Sequence, residues 1–135
     1  YPGMKVMQFA FDSDPTNEHL PCNYTRNMVV YGGTHDNETL VGHFTDMKSK
    51  DAQYAKKYLD VKKKKNIPNA IIRAGYASVA NTVIFQAQDI LFLPNSCRMN
   101  FPSTIGPNWR WRLQKGQLTA GLAQKLSGLV EVYGR

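Results

Sequence analysis

The chain has 135 residues, of which 42% are hydrophobic and 20% are charged, so it is long enough for one domain with a buried core. No apolar stretch approaches the ~20 residues that a membrane-spanning helix needs, and no signal peptide is visible. The first residues, Tyr1-Pro2-Gly3, lead straight into a predicted strand, so we expect a piece of a longer protein. Without internal repeats or a linker, residues 1–135 are expected to form a single unit.

The formal net charge of +7 raises the question of nucleic-acid binding. Six of the seventeen basic residues lie between Lys56 and Lys65. We place these lysines in the last turns of a helix, where cations interact favourably with the helix dipole. Aromatic residues are not interleaved with them as a single-strand binding surface requires. We therefore expect no specific nucleic-acid partner and no membrane partner.

The cysteines and histidines show no metal or redox motif. Cys22 and Cys97 are far apart and in unlike contexts, so we expect two unpaired thiols in a reducing compartment, the cytoplasm. The three histidines, His19, His35 and His43, do not have the spacing of zinc ligands. We expect neither a metal ion nor another cofactor.

Two apolar runs near the start of the chain predict strands. Residues 5–11 carry apolar side chains at odd and at even positions, and turn-forming residues from Asp12 to Asn17 end this predicted strand. The run Met28-Val29-Val30-Tyr31 is β-branched and aromatic, too short for a helix, and followed by Gly32-Gly33. Strands with apolar side chains on both faces are typical of a parallel sheet.

Helices and a third strand follow. A short helix is predicted from residue 37 or 38 to about 44, followed by a helix that Ser49 caps and a helix with Pro68 in its first turn. A strand over residues 83–87 comes next. Thr119 caps and Gly134 ends a last helix, whose apolar stripe consists of Leu122, Leu126, Leu129, Val130 and Tyr133. The order of strand, loop, strand, helices and strand indicates βαβ units, and hence an α/β fold with a parallel sheet.

The least regular region runs from residue 95 to residue 116 and contains Trp109-Arg110-Trp111-Arg112. Alternating Trp and Arg residues are compatible with a nucleic-acid or sugar surface. They are also compatible with a short strand that buries both rings and exposes both guanidinium groups. We favour the strand, because aromatic rings belong mostly to protein cores.

Candidate functional side chains follow the predicted strands. Asp12 comes directly after the first strand, and His35 and Asp36 come after the second. Ligands and catalytic groups gather at the carboxyl ends of parallel strands. Asp and Asn also close turns and cap helices for purely local reasons. From the residues alone, a turn and a functional site both remain open for His35 and Asp36.

Five sequence blocks, in order along the chain, are specific enough to indicate a family. They are Pro2-Gly3-Met4-Lys5-Val6-x-Gln8-Phe9-Ala10-Phe11-Asp12, Gly33-Thr34-His35-Asp36-Asn37, Ser78-Val79-Ala80 with Gln88-Asp89, Arg98-Met99-Asn100, and Gly106-x-Asn108-Trp109-Arg110-Trp111-Arg112-Leu113. In these blocks the chain resembles the amylomaltases, also called 4-α-glucanotransferases or disproportionating enzymes. A single His-Asp pair would carry little weight, whereas five ordered blocks extend over the whole chain.

The resemblance implies a (β/α)8 barrel of the α-amylase superfamily, of which this chain is the C-terminal part with about three parallel strands and flanking helices. It implies retaining transfer of an α-1,4-glucan segment to a glucose or glucan acceptor. One carboxylate attacks the anomeric carbon, a second serves as acid and then base, and a sugar replaces water as acceptor. The implied partners are α-1,4-glucans and maltooligosaccharides.

The resemblance also implies roles for individual residues. Asp36 corresponds to the third carboxylate, which stabilises the transition state, and His35 to its neighbour on the same sugar. Asn100, on the loop after the last strand, corresponds to a substrate-contacting asparagine. Asp12 corresponds to a further sugar contact, although Asp14 is near enough to compete for that role.

The resemblance places the nucleophile and the acid/base upstream of Tyr1. We therefore expect the 135 residues alone to be inactive. The alternative is a non-catalytic carbohydrate-binding or scaffold module that keeps part of a sugar site. A partial barrel exposes unpaired strand edges, so we expect the isolated chain either to self-associate or to cover those edges with its own helices. Gln88 and Asp89 are expected to be structural.

Overall fold

A three-stranded sheet lies at the centre of the molecule, and the computed structural model describes the whole chain, Tyr1–Arg135. The strands are β1 (Gly3–Val6), β2 (Met28–Tyr31) and β3 (Thr82–Ile84), arranged in the order β1-β2-β3. Both pairings are parallel, so the carboxyl ends of all three strands meet at one edge. The predicted parallel sheet is confirmed, and β2 has the predicted bounds.

Five helices flank the sheet. They are α1 (Leu40–Asp46), α2 (Ser49–Tyr58) and α3 (Ile67–Ala77) between β2 and β3, α4 (Ala87–Ile90) directly after β3, and α5 (Ala120–Tyr133) at the end. Short 3-10 turns cover Met7–Phe9, Pro21–Asn23, Lys64–Asn66 and Asn95–Cys97. No helix combines the length and the apolar character that crossing a bilayer requires.

The core lies between the sheet and the helices that connect β2 to β3. Val30 of β2, Phe44 of α1 and Ile71 of α3 are almost fully buried in one apolar cluster. Burying such a side chain contributes about 1.5–3 kcal/mol to folding. Helix α3 approaches the chain after β3 so closely that a Cβ on Gly75 would lie 2.7 Å from the Phe85 ring. This contact fixes where the segment after β3 leaves the sheet.

The predicted bounds of two strands were wrong. β1 ends at Val6, and Met7–Phe9 forms a 3-10 turn instead of continuing the strand. Met7, Ala10 and Phe11 are nevertheless buried, because the turn directs odd- and even-numbered side chains into the core. This is why the run over residues 5–11 has the pattern of a strand. β3 ends at Ile84 because Ala87 already begins helix α4.

The predicted starts of two helices also need correction. α1 begins at Leu40 because Thr39 is its N-cap, with the Thr39 Oγ1 accepting a hydrogen bond from the Gly42 N–H at 3.1 Å. α2 starts at Ser49, but Ser49 is its first helical residue, and Lys48 occupies the N-cap position without a side-chain bond. α3 starts as predicted, with Pro68 in its first turn.

The lysine run does not belong to one helix end. Lys56 and Lys57 lie in the last turn of α2, whereas residues 62–65 follow after it. The Lys64 ammonium donates hydrogen bonds to the carbonyls of Thr45 and Met47, at 2.7 and 3.0 Å. These carbonyls are at the C-terminal end of α1, so the cation complements the dipole of a different helix from the one predicted.

The strand predicted at residues 109–112 is absent. Trp109 has a positive φ of 63° and is 51% exposed, a conformation and an exposure that no buried strand residue has. Its N–H donates to the carbonyl of Met99 at 2.6 Å, which closes the irregular loop instead of extending the sheet. The preference for a buried aromatic strand was therefore wrong.

Helix α5 has the predicted ends and packs on the outside of α3. The Thr119 Oγ1 accepts from the Leu122 N–H at 3.1 Å, and Gly134 ends the helix in the left-handed conformation. Of the predicted apolar stripe, Leu129 packs against the core, but no residue of α5 is fully buried. The Tyr133 hydroxyl accepts a hydrogen bond from Arg73 of α3 at 2.8 Å.

Replacing Thr39 by Ala is expected to lower the free energy of unfolding by about 1 kcal/mol, because the buried Gly42 N–H at the start of α1 loses its acceptor. Urea unfolding of the wild-type and variant proteins measures this difference. Thr25→Ala is the control, since Thr25 is exposed and caps no helix. An equal effect of both substitutions would contradict the capping role.

Candidate functional site

The segment after β2 forms a tight turn that Asn37 closes. The Asn37 Oδ1 accepts hydrogen bonds from the N–H and the hydroxyl of Thr34, at 2.8 and 2.7 Å. The Asn37 N–H in turn donates to the Thr34 carbonyl at 3.1 Å. Asn37 closes the turn and Thr39 caps α1, so neither task falls to the carboxylate of Asp36. Its carboxylate is thus available for other contacts at the carboxyl end of the sheet.

The Asp36 carboxylate meets two other candidate residues. The Asn100 Nδ2 donates to the Asp36 Oδ1 at 2.7 Å, and the His35 Nε2 lies 3.4 Å from the same oxygen. The side chains of Asp36 and His35 are about half exposed, at 51% and 56%. Three of the four residues predicted as site residues therefore lie together, although Asn100 is 64 positions away in the sequence.

The His35 ring has a second neighbour that the sequence did not identify. The rings of His35 and Trp109 are 5.0 Å apart, with an angle of 41° between their planes. The ring contact joins the turn after β2 to the loop after β3. Trp109 is half exposed, beside the His35 ring. The cluster thus combines a carboxylate, an amide, an imidazole and an aromatic face, which are side chains suited to polar ligands with apolar faces, such as sugars.

Asp12 lies apart from this cluster, in the turn after β1. Its carboxylate accepts hydrogen bonds from the Asp14 N–H at 3.0 Å and the Asn17 Nδ2 at 2.9 Å. Hydrogen bonds from Thr16 hold the pKa of Asp14 below its usual value. No hydrogen bond joins Asp12 to Asp36. Asp12 does line a groove of about 460 Å³ that also contains Glu38.

A partly buried polar network behind the turn was missed by the sequence analysis. Asn95 donates to the Glu38 carboxylate at 2.7 Å and accepts from the Thr39 N–H at 3.1 Å. A Cβ on Gly42 would lie only 2.0 Å from the Asn95 side chain, so a glycine is required there. The Gln8 amide donates to the Glu38 carbonyl at 2.6 Å. These contacts connect the segments after β1, β2 and β3.

Asp89 of α4 is the most deeply buried carboxylate of this network. Its Oδ1 accepts from the Leu40 N–H at 2.7 Å, whereas its Oδ2 has no hydrogen-bond partner. Burial raises the pKa of Asp89 to about 6, and the hydrogen bond from Leu40 partly offsets this. Asp89 therefore anchors the start of α1 from inside the protein.

No set of three or more His, Cys, Asp or Glu side chains is arranged to hold a metal ion. Both cysteines, Cys22 and Cys97, are unpaired. The functional groups at the carboxyl end of the sheet are therefore those of the Asp36 cluster, which comprises His35, Asp36, Asn100 and Trp109.

Comparison with known proteins identifies the family of the chain and agrees with its fold. The sequence profile of the 4-alpha-glucanotransferase family (glycoside hydrolase family 77) matches residues 1–119. The chain belongs to this family, which confirms the resemblance in the five sequence blocks.

Related proteins span bacteria and plants. The chain is 48% identical to a 4-alpha-glucanotransferase of Synechocystis over its whole length, and 43% identical to one of Clostridium butyricum. It is 41% identical over 99% of its length to a chloroplastic/amyloplastic 4-alpha-glucanotransferase of Arabidopsis thaliana. The chain spans 27%, 28% and 24% of these relatives.

A solved structure has the same fold. The amylomaltase from Streptococcus agalactiae, in complex with acarbose, superposes on the whole chain with a TM-score of 0.94 and 38% sequence identity. The chain covers 28% of that structure. The arrangement of three parallel strands with flanking helices is therefore that of one part of an amylomaltase.

Proposed function

We propose that the chain is the C-terminal part of the (β/α)8 catalytic barrel of a 4-α-glucanotransferase, and that the complete enzyme transfers an α-1,4-glucan segment to a glucose or glucan acceptor. The observation that carries the proposal is the Asp36 carboxylate. It lies at the carboxyl end of the middle parallel strand, is free of turn and capping contacts, and accepts a hydrogen bond from Asn100 at 2.7 Å. Family membership supports the reaction class.

The open sides of the sheet support the barrel. β1 and β3 each pair with β2 on one side only. Met4 of β1 and Ile84 of β3 are exposed, at 55% and 44%. Unpaired strand edges with apolar side chains are usually covered in native proteins. Further strands of a closed barrel would cover both edges, and self-association is the expected substitute when they are missing.

In the proposed reaction, this chain supplies one catalytic carboxylate and the rest of the enzyme supplies the other two. Retaining transfer needs two carboxyl groups about 5 Å apart, one as nucleophile and one as acid and base. The side-chain partners of Asp36 are Asn100 and His35, and no second carboxylate is among them. We assign Asp36 to stabilisation of the positively charged transition state. The catalytic pair is assigned to other parts of the barrel.

The other predicted residues take binding roles. Asn100 orients the Asp36 carboxylate and, with His35, presents hydrogen-bonding groups to the same sugar. Asp12 is proposed as a more distant sugar contact, from the groove beside β1. Maltooligosaccharides are the proposed ligands, and acarbose, the ligand of the related amylomaltase, is a suitable probe. The two unpaired thiols agree with a reducing compartment, and we propose a cytoplasmic location.

The full-length polypeptide that contains this chain is the protein for the main test. Incubated with maltotriose, it is expected to release glucose while forming longer maltodextrins. Binding of maltooligosaccharides without any change in chain length would contradict the transferase and favour a non-catalytic carbohydrate-binding module. Absence of both binding and transfer would contradict both assignments.

The isolated 135-residue chain is expected to show no turnover, because the proposed site contributes only one of three carboxylates. Glucose release from maltotriose, measured at equal molar concentrations of the isolated chain and the full-length polypeptide, checks this. Circular dichroism establishes that the isolated chain is folded. Clear turnover by the isolated chain would contradict the division of catalytic residues.

A further inference from the structure

One arginine side chain contacts the main chain of both residues in the Asp36–Asn100 pair. The Arg98 Nη2 donates a hydrogen bond to the Asp36 carbonyl at 3.0 Å. The Arg98 Nε donates to the Asn100 carbonyl at 3.3 Å. The same guanidinium group therefore holds the turn after β2 and the loop after β3 at the two positions whose side chains meet.

The orientation of this guanidinium group is fixed from one of its faces. Its central carbon lies 4.5 Å from the centre of the Phe101 ring, which is a cation–π contact. A planar group with one face on an aromatic ring can direct its N–H groups only within its own plane. The Asp36 and Asn100 carbonyls both lie within reach of these N–H groups.

We propose that Arg98 is a positioning residue that aligns the Asn100 amide with the Asp36 carboxylate. This proposal rests on the proposed function of Asp36 and Asn100. Arg98 acts on carbonyl oxygens and donates to neither side chain of the pair. Its effect on the reaction therefore passes through their geometry. A displacement of about 1 Å at a reacting site can lower a rate by about a hundredfold.

The rest of the loop has its own contacts, so the loss of Arg98 is expected to misalign the pair without unfolding the loop. The Asn108 Oδ1 accepts from the Phe101 N–H at 2.9 Å, and the Trp109 N–H donates to the Met99 carbonyl at 2.6 Å. Neither contact involves Arg98. Lysine is a poor substitute, because a single ammonium group lacks the planar fork that reaches two carbonyls.

Kinetics of the full-length enzyme test the proposal. Arg98→Ala and Arg98→Lys are both expected to lower kcat of maltotriose disproportionation by about ten- to a hundredfold, with KM changed by a smaller factor. Thermal unfolding measures whether the variants fold. Arg26→Ala is the matched control, because Arg26 is exposed at the opposite end of the sheet and is expected to leave kcat unchanged. Wild-type kcat in folded Arg98→Ala would overturn the proposal.

The effect of Arg98→Ala on kcat in an enzyme that already lacks the Asn100 side chain distinguishes positioning from a general structural role. In an Asn100→Ala enzyme, the further change Arg98→Ala is expected to lower kcat by less than about twofold, because the pair that it aligns is already lost. An undiminished further loss would show that Arg98 acts elsewhere and would overturn the proposal.

A crystal structure of the full-length Arg98→Ala variant gives a readout that does not depend on activity. The Asn100 Nδ2 is expected to move beyond about 3.5 Å from the Asp36 Oδ1, which breaks the hydrogen bond. An unchanged separation would overturn the positioning role. If the wild-type enzyme shows no glucan transfer, the proposed function fails, and this separation still decides whether Arg98 aligns the pair.

Discussion

Replacing Asp36 by Asn in the full-length enzyme is expected to lower kcat for maltotriose disproportionation by about 10²- to 10³-fold. Contacts from such a group to the sugar strengthen as the oxocarbenium ion develops and are worth several kcal/mol. Each 1.36 kcal/mol corresponds to a factor of ten in rate. KM is expected to change little, because the lost interaction belongs mainly to the transition state.

Asparagine is the informative substitution because it keeps most of the geometry. Its side-chain oxygen can still accept the hydrogen bond that Asn100 donates at 2.7 Å in the present structure. The variant therefore loses the negative charge opposite the developing positive charge, whereas the contact between the two loops persists. An alanine at this position would lose the charge and the contact together.

Asp60→Asn provides the matched control for the loss of one carboxylate. Asp60 is exposed in the turn after α2, and its φ of 52° is a conformation that Asn tolerates. Initial rates over a range of maltotriose concentrations give kcat and KM for the three proteins. Retention of more than a tenth of wild-type kcat by Asp36→Asn would contradict its role at the transition state.

The position of the candidate site could be predicted from the sequence, because the end of a strand can be recognised from the residues of that strand alone. The run Met28–Tyr31 followed by two glycines identified β2, and its end identified His35 and Asp36. The residues alone could not separate a turn from a site, because Asp and Asn both form turns. In the structure Asn37 makes the side-chain contacts of the turn and the Asp36 carboxylate makes none of them, which is the basis of the role that we propose for Asp36.

Errors in the predicted fold arose where tertiary packing overrides a local pattern. Residues 5–11 have apolar side chains at odd and even positions because the 3-10 turn and the two residues after it bury Met7, Ala10 and Phe11 in the core. The tryptophans were expected inside a strand because they alternate with arginines and because aromatic rings are mostly buried. Trp109 instead packs its ring on His35, a partner 74 positions away that no local pattern specifies.

The supporting contacts could not be predicted because each joins segments that are far apart in sequence. Arg98 reaches Asp36 across 62 positions, and Asn95 reaches Glu38 across 57. A surface arginine and a turn asparagine look alike in sequence whether or not they have such partners. One signal was available: Gly42 lies within a helix, where glycine is unfavourable unless another group needs its space, and Asn95 takes that space.

The buried Asp89 is expected to make the protein less stable as the pH rises from about 4 to about 7. Its pKa is raised from 3.8 to about 6 in the folded protein, mainly by burial. Between these two values the folded state binds more protons than the unfolded state, so the stability falls as the pH rises. The difference of about two units corresponds to about 3 kcal/mol.

Asp89→Asn isolates this contribution from those of the other carboxylates. The pKa values of Asp14 and Glu18 are lowered, the first by hydrogen bonds from Thr16 and the second by Lys5. Their stabilising contributions are lost as the pH falls, which opposes the trend of Asp89. These groups are the same in both proteins, and the side-chain oxygen of the introduced asparagine can still accept from the Leu40 N–H. The difference between the two proteins therefore reports Asp89 alone.

Urea unfolding at intervals between pH 4 and pH 7.5 provides the measurement. The free energy of unfolding of the wild type, minus that of Asp89→Asn, is expected to fall by most of this ~3 kcal/mol across the range and to level off above the raised pKa. Asp60→Asn, at an exposed site, is expected to follow the wild-type profile throughout. Parallel profiles of wild type and Asp89→Asn would mean that Asp89 titrates normally. The start of α1 would then be held by a carboxylate with access to water.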